Sequence, residues 1–140
     1  MSNQNQNPVL QAALNSQINT TCIANVFTSV IDFNQRVLHV LPRPLGLLNE
    51  AETQITVKCL TEEAQEFDDA IAEGDFIGAV DALVDSIYFA IGGLYKMGLT
   101  AESIEQSLLA VHSANMEKKL GINARRGDGS AADAVKPQGW

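Results

Sequence analysis

The sequence predicts an all-α fold, an antiparallel four-helix bundle whose core is completed by oligomerisation. Three observations predict it. Four stretches carry apolar residues spaced by three and four, the period of a helix with one buried face. No stretch alternates with the period of two that marks a strand. The third helical stretch is apolar all round and needs more cover than three neighbours supply in a chain of 140 residues.

The elements follow in order. Residues 1–19 read as a flexible leader, because MSNQNQN is polar and has no apolar period to offset the entropy of ordering it. The first helix is expected over residues 20–40, with Ile23, Phe27, Val30, Phe33, Val37 and Val40 on one stripe. Pro42 and Pro44 then stop it by removing donors and turning their predecessors away from helix. Asn49 and Glu52 have the spacing of a capping box, and a second helix runs to Gly74 with Leu60, Ala64, Phe67 and Ile71 inward. Asp75 caps a third helix that runs to Gly98, and so short a link packs helices two and three antiparallel. Thr100 caps a fourth, which turns Ile104, Leu108, Val111 and Met116 inward and ends near Gly121, where Lys118 and Lys119 suit its dipole. Residues 20–122 thus form the helical domain. The tail, 123–140, is either disordered or folded over a site.

Composition excludes several classes of function. A net charge of −8 opposes any extended grip on a phosphodiester backbone, so nucleic acid is not an expected partner. The longest uncharged stretch of the apolar middle, residues 86–95, is too short to cross a bilayer, and no membrane span is expected. Cys22 and Cys59, with no secretory signal ahead of them, read as two buried thiols in a reducing cytoplasm.

The charges are unevenly placed. Residues 50–85 hold 11 of the 17 acids against one base, Lys58, whereas residues 117–140 hold five bases against three acids. With Leu60 as zero on the second helix, Glu63 falls at about 300° and Glu66 at about 240°, beside the inward stripe, while Glu62 at about 200° faces further out. The third helix has 15 apolar residues among positions 76–97, yet Asp81 and Asp85 lie one turn apart on one face of it. An unpaired buried carboxylate would sooner take a proton than keep its charge, so a cation is expected opposite. An acidic run alone is commonly a solvated helix face. Glu63, Glu66, Asp81 and Asp85 facing one another across a hairpin are instead an all-oxygen donor set that selects Mg²⁺, Mn²⁺ or Ca²⁺ over zinc. Four carboxylates exceed the charge of one such ion, which favours two or more ions and a polyphosphate ligand. A di-iron centre would need Glu-x-x-His pairs, but His39 and His112 are preceded at that offset by Arg36 and Leu109.

These residues resemble the all-α nucleoside triphosphate pyrophosphohydrolases, the superfamily of MazG, phosphoribosyl-ATP pyrophosphohydrolase and the dimeric dUTPases. The likeness covers about residues 30–140. Glu62, Glu63 and Glu66 match its E-E-x-x-E motif; of its E-x-x-D motif Asp85 is present, with Ala82 at the acidic position and Asp81 beside it. The run DALVDSIYFAIGGLYKMGL is similar to a MazG-like branch often carried by bacteriophages and bacteria. The resemblance implies Mg²⁺, with Mn²⁺ as a substitute, held by Glu62, Glu63, Glu66, Asp81 and Asp85, with Glu62 or Glu63 taking a proton from water. It implies a nucleotide contacted by Asn115 and Lys118; by their chemistry alone, Lys118 with Arg125 or Arg126 is expected to offset phosphate charge as the tail closes, and Trp140 to stack on a base. It further implies hydrolysis of a nucleoside triphosphate to monophosphate and pyrophosphate by a homodimer or homotetramer in the cytoplasm, the host's if phage-encoded. The rival expectation is a non-catalytic helical module that binds a partner or nucleotide without turnover.

Overall fold

The computed structural model describes residues 23–121 and 133–136. Among them are four helices, α1 (Ile23–Arg36), α2 (Glu50–Glu73), α3 (Phe76–Lys96) and α4 (Ala101–Met116), and two short strands, β1 (Lys119–Gly121) and β2 (Asp133–Val135). The all-α class is met. The chain forms two compact units, residues 1–101 and 102–140.

In the first unit α1 ends at Arg36, four residues before the expected end. His39 takes a left-handed φ of 55°, and Val40 N–H turns back to donate to the Asn34 carbonyl at 2.9 Å. The following loop is pinned at two places. Gln35 Nε2 donates to the Tyr95 hydroxyl, which donates in turn to the Val40 carbonyl, both at 3.0 Å. Arg43 grips Glu52 through two bonds of 3.1 and 2.6 Å. Glu52 is also the third residue of α2, where it completes the expected capping box: Asn49 Oδ1 accepts from Glu52 N–H at 2.9 Å. Local sequence and tertiary contact therefore fix the same helix start.

Gly74 closes α2 in the left-handed conformation, and the Asp75 side chain accepts from Gly78 N–H at 3.0 Å to begin α3. The two helices run antiparallel. Ala70 lies against Gly78 near the turn, and Thr56 lies against Gly93 near the far end. The adjacent Gly92 faces Asn34 of α1, where an added Cβ would sit 3.2 Å from Nδ2. Two consecutive glycines thus let both α1 and α2 approach the backbone of α3.

The inward face of α2 is rotated from the expected stripe. Ala64 and Ile71 are exposed, and the buried residue is Glu63, flanked by half-buried Leu60 and Phe67. The core of this unit is small: Val30, Ala79, Ala82, Ile91 and Tyr95 are buried. Fully burying a side chain such as Val30 contributes about 1.5–3 kcal/mol. Leu83, Val84 and Ile87 on the other side of α3 stay exposed in the single chain. By length and composition α3 could cross a membrane, because a helix window that tolerates Asp81 and Asp85 extends past the uncharged residues 86–95; the core helix of a soluble protein passes the same test. Cys59 is half-buried rather than buried, and Cys22 lies outside the described residues.

The second unit departs from expectation at its end. Helix α4 begins directly after Thr100 but stops at Met116, and residues 119–121 pair with 133–135 as an antiparallel ribbon, Leu120 opposite Ala134. Gly121 therefore serves the ribbon and does not terminate the helix. A Cβ there would collide with Val135 Cγ2. Ile104 is buried as expected, whereas Leu108, Val111 and Met116 are exposed.

Candidate active site

The α2–α3 hairpin brings the predicted acids to one region of the first unit. Glu63 is the only buried residue of α2, with 9% of its surface accessible. Burial pushes its carboxyl pKa up, and the charges of Glu66, Asp85, Asp81 and Glu62 push it further in the same direction. Asp85 keeps an exposed surface, yet the helices around it still raise its pKa, first by desolvation and then through Asp81. Asp81 is half-buried and Glu66 exposed. Glu62 faces outward as its angle requires, pairing with Lys58 one turn back at 3.6 Å. Among the described residues no ion pair reaches Glu63, Glu66 or Asp85.

A divalent cation suits this donor set chemically. All five side chains are carboxylates, the hard oxygen donors such ions prefer, and a buried carboxylate among like charges gains from any cation that neutralises it. Among the described residues, however, no three Asp, Glu, His or Cys side chains are gathered into a metal-holding group. Ala82, at the acidic position of the second motif, is buried and adds no donor.

Asn115 and Lys118, expected to contact nucleotide, lie in the second unit and bond to each other, Lys118 Nζ donating to Asn115 Oδ1 at 2.6 Å. Arg125, Arg126 and Trp140 lie outside the described residues.

One aromatic side chain that reads from the sequence as core borders the acids. Tyr88, one turn beyond Asp85, is half-buried, and its hydroxyl pKa is raised by burial and by the Asp85 charge. Its ring meets Phe33 edge-on, with centroids 5.6 Å apart and planes at 75°, a contact worth about 0.5–1.5 kcal/mol beyond area burial. Both rings line a pocket of about 270 Å³ between α1, α2 and α3, which Asn34 also lines. The sequence signal for Tyr88 was its position three residues after Asp85, on the same helix face. Asn34 had a fainter one, an amide four residues after the stripe residue Val30.

Comparison with known families adds an independent line. Residues 35–114, more than half of the chain, match the family model described as phosphoribosyl-ATP pyrophosphohydrolase. No curated protein and no solved structure gives a significant match. The matched span contains α2 and α3 whole, and with them every carboxylate of the hairpin. The chain belongs to the phosphoribosyl-ATP pyrophosphohydrolase family, within the MazG-like nucleotide pyrophosphohydrolase superfamily.

Proposed function

We propose that this chain is a Mg²⁺-dependent hydrolase that converts a nucleoside or deoxynucleoside triphosphate to its monophosphate and pyrophosphate, cleansing or adjusting a nucleotide pool. Family membership supports the pyrophosphohydrolase class. The observation that carries the reading on to a metal-dependent site is Glu63, buried across from Asp85 and Asp81 with no ion pair. Glu63, Glu66, Asp81 and Asp85, with Glu62 at the outer edge, are the residues that would hold Mg²⁺ or its substitute Mn²⁺. When bound, the ion neutralises phosphate charge and acidifies water. The protein's own contribution is a general base. The raised proton affinity of Glu63 suits it to take the proton of the attacking water, with Glu62 as the other candidate. Asn115 and Lys118, together with Arg125, Arg126 and Trp140, are the proposed substrate contacts.

We propose further that the working form is a homodimer or homotetramer, supported by the exposed Leu83, Val84 and Ile87 of α3. The rival reading, a module that binds without turnover, is favoured by one observation, the buried Ala82 where the motif has an acid. Incubation with Mg²⁺ and a panel of nucleoside triphosphates separates the two. Pyrophosphate release that Glu63→Gln and Asp85→Asn each reduce by about 10²–10³-fold supports the enzyme. Release from no substrate supports the module.

A further inference from the structure

The two tyrosines of the chain are used differently. Tyr95 is buried, and its hydroxyl is engaged twice, accepting from Gln35 and donating to the Val40 carbonyl. Tyr88 is half-buried, its ring is held edge-on against Phe33, and its hydroxyl has no hydrogen-bond partner among the described residues. Phenylalanine would fill that place in the packing equally well, so the oxygen is the part of the side chain that the fold does not use. Its position is set by the helix. With Asp85 at zero on α3, Asp81 falls at about −40° and Tyr88 at about −60°, so one stripe carries both acids and the phenol. Burial and the Asp85 charge raise the phenol's pKa, which keeps it an O–H donor.

A donor is what the acids lack. Ionised carboxylates only accept hydrogen bonds, and Lys58, the one base among residues 50–85, is paired with Glu62. A polyphosphate drawn to cations on the hairpin brings more oxygens than the cations cover, and the remainder need N–H or O–H groups. A lysine or arginine in the place of Tyr88 would ion-pair with Asp85 and compete with the metal. A neutral phenol donates without doing so.

We infer that Tyr88 is a substrate-binding residue whose hydroxyl donates a hydrogen bond to a phosphate oxygen of the triphosphate held at the hairpin. The inference rests on the polyphosphate reading proposed above. The contact with Phe33 holds the ring before the ligand arrives, which lowers the cost of ordering the donor on binding.

Inorganic tripolyphosphate, which has the phosphates and no base, is the probe. Tyr88→Phe keeps a ring against Phe33 and removes only the oxygen. In calorimetry at saturating Mg²⁺ the variant should bind tripolyphosphate about tenfold or more weakly than wild type, the size of a hydrogen bond to a charged group. Its affinity for Mg²⁺ alone should be unchanged, and its melting temperature in EDTA should stay within about 2 °C of wild type. A tyrosine with only a structural role would instead move the melting temperature, or leave tripolyphosphate binding as it was. In the wild type, the ¹³Cζ resonance of Tyr88 should move when tripolyphosphate is added to the Mg²⁺-saturated protein, while that of Tyr95, already bonded within the fold, should not. That measurement decides where the variant fails to fold. Equal binding by wild type and variant, no binding by wild type, loss of Mg²⁺ affinity in the variant, or an unmoved Tyr88 resonance overturns the inference. Tripolyphosphate bound through Tyr88 with no triphosphate hydrolysed overturns the proposed activity and leaves the role of Tyr88 standing; hydrolysis that Tyr88→Phe leaves untouched does the reverse.

Discussion

Replacing Glu63 by glutamine should stabilise this protein without divalent ions and destabilise it relative to wild type with them. The wild-type carboxylate is buried to 9% exposure and feels four like charges, from Glu66, Asp85, Asp81 and Glu62. A neutral amide of the same shape removes those repulsions and the cost of desolvating a charge. The gain should be about 1 kcal/mol, the lower end of what an unpartnered buried polar group costs in proteins. At about 3 °C per kcal/mol for a chain of this size, the melting temperature in EDTA should rise by about 3 °C. Magnesium reverses the order. Saturation at 100 times the dissociation constant adds about 2.7 kcal/mol to the wild type, a rise of about 8 °C, and the glutamine variant should lose most of it. Scanning calorimetry of both proteins in EDTA and across a Mg²⁺ titration measures all four states. A wild type indifferent to Mg²⁺, or a variant that melts lower than wild type in EDTA, refutes the reasoning, because either result means that Glu63 is not a frustrated carboxylate awaiting a cation.

Other consequences follow from the same structure. In metal-free buffer, stability should fall as pH rises from the ordinary carboxylate range through the raised values of Glu63 and Asp85. Below that range both folded and unfolded states hold the protons, whereas above it the folded state carries the buried charges at full cost. Urea melts from pH 4.5 to 8 check the sign, and a minimum at the acid end would contradict it. Gly98→Ala should cost about 2 kcal/mol or more in the same assay, since φ is +92° and the new Cβ would lie 2.5 Å from the Pro44 carbonyl oxygen. Light scattering should give a mass of two or four chains, and Leu83→Asp combined with Ile87→Asp should lower it; a wild-type monomer at micromolar concentration would contradict the assembly.

The α2–α3 hairpin is legible in the sequence because its signals are local. Asn49 and Glu52 satisfy donors at a helix start, Gly74 supplies the left-handed cap and Asp75 starts the next helix, each acting within a few residues of itself. The position of Asp81 and Asp85 on an otherwise apolar helix is equally readable. The rotation of α2 is not. Its apolar residues are spread widely enough to allow more than one inward stripe, and only contact with α3 selects the face that buries Glu63 and leaves Ala64 and Ile71 in water. The end of α4 was hidden for a similar reason. Gly121 looks like a helix terminator until the Val135 side chain, fourteen residues later in the chain, is seen to occupy the space a Cβ would need. Asn34 had an apolar-stripe neighbour to mark its burial, but its place against Gly92 belongs to the packing of another helix.

Phosphorus NMR of one nucleoside triphosphate incubated with the protein and Mg²⁺ tests the central claim most directly, because it shows which phosphoanhydride bond breaks. Cleavage between the α and β phosphates gives resonances of monophosphate and pyrophosphate, and these should appear with wild type and be absent with Glu63→Gln or Asp85→Asn. Resonances of diphosphate and orthophosphate, or an unchanged triphosphate across every base offered, would contradict the account.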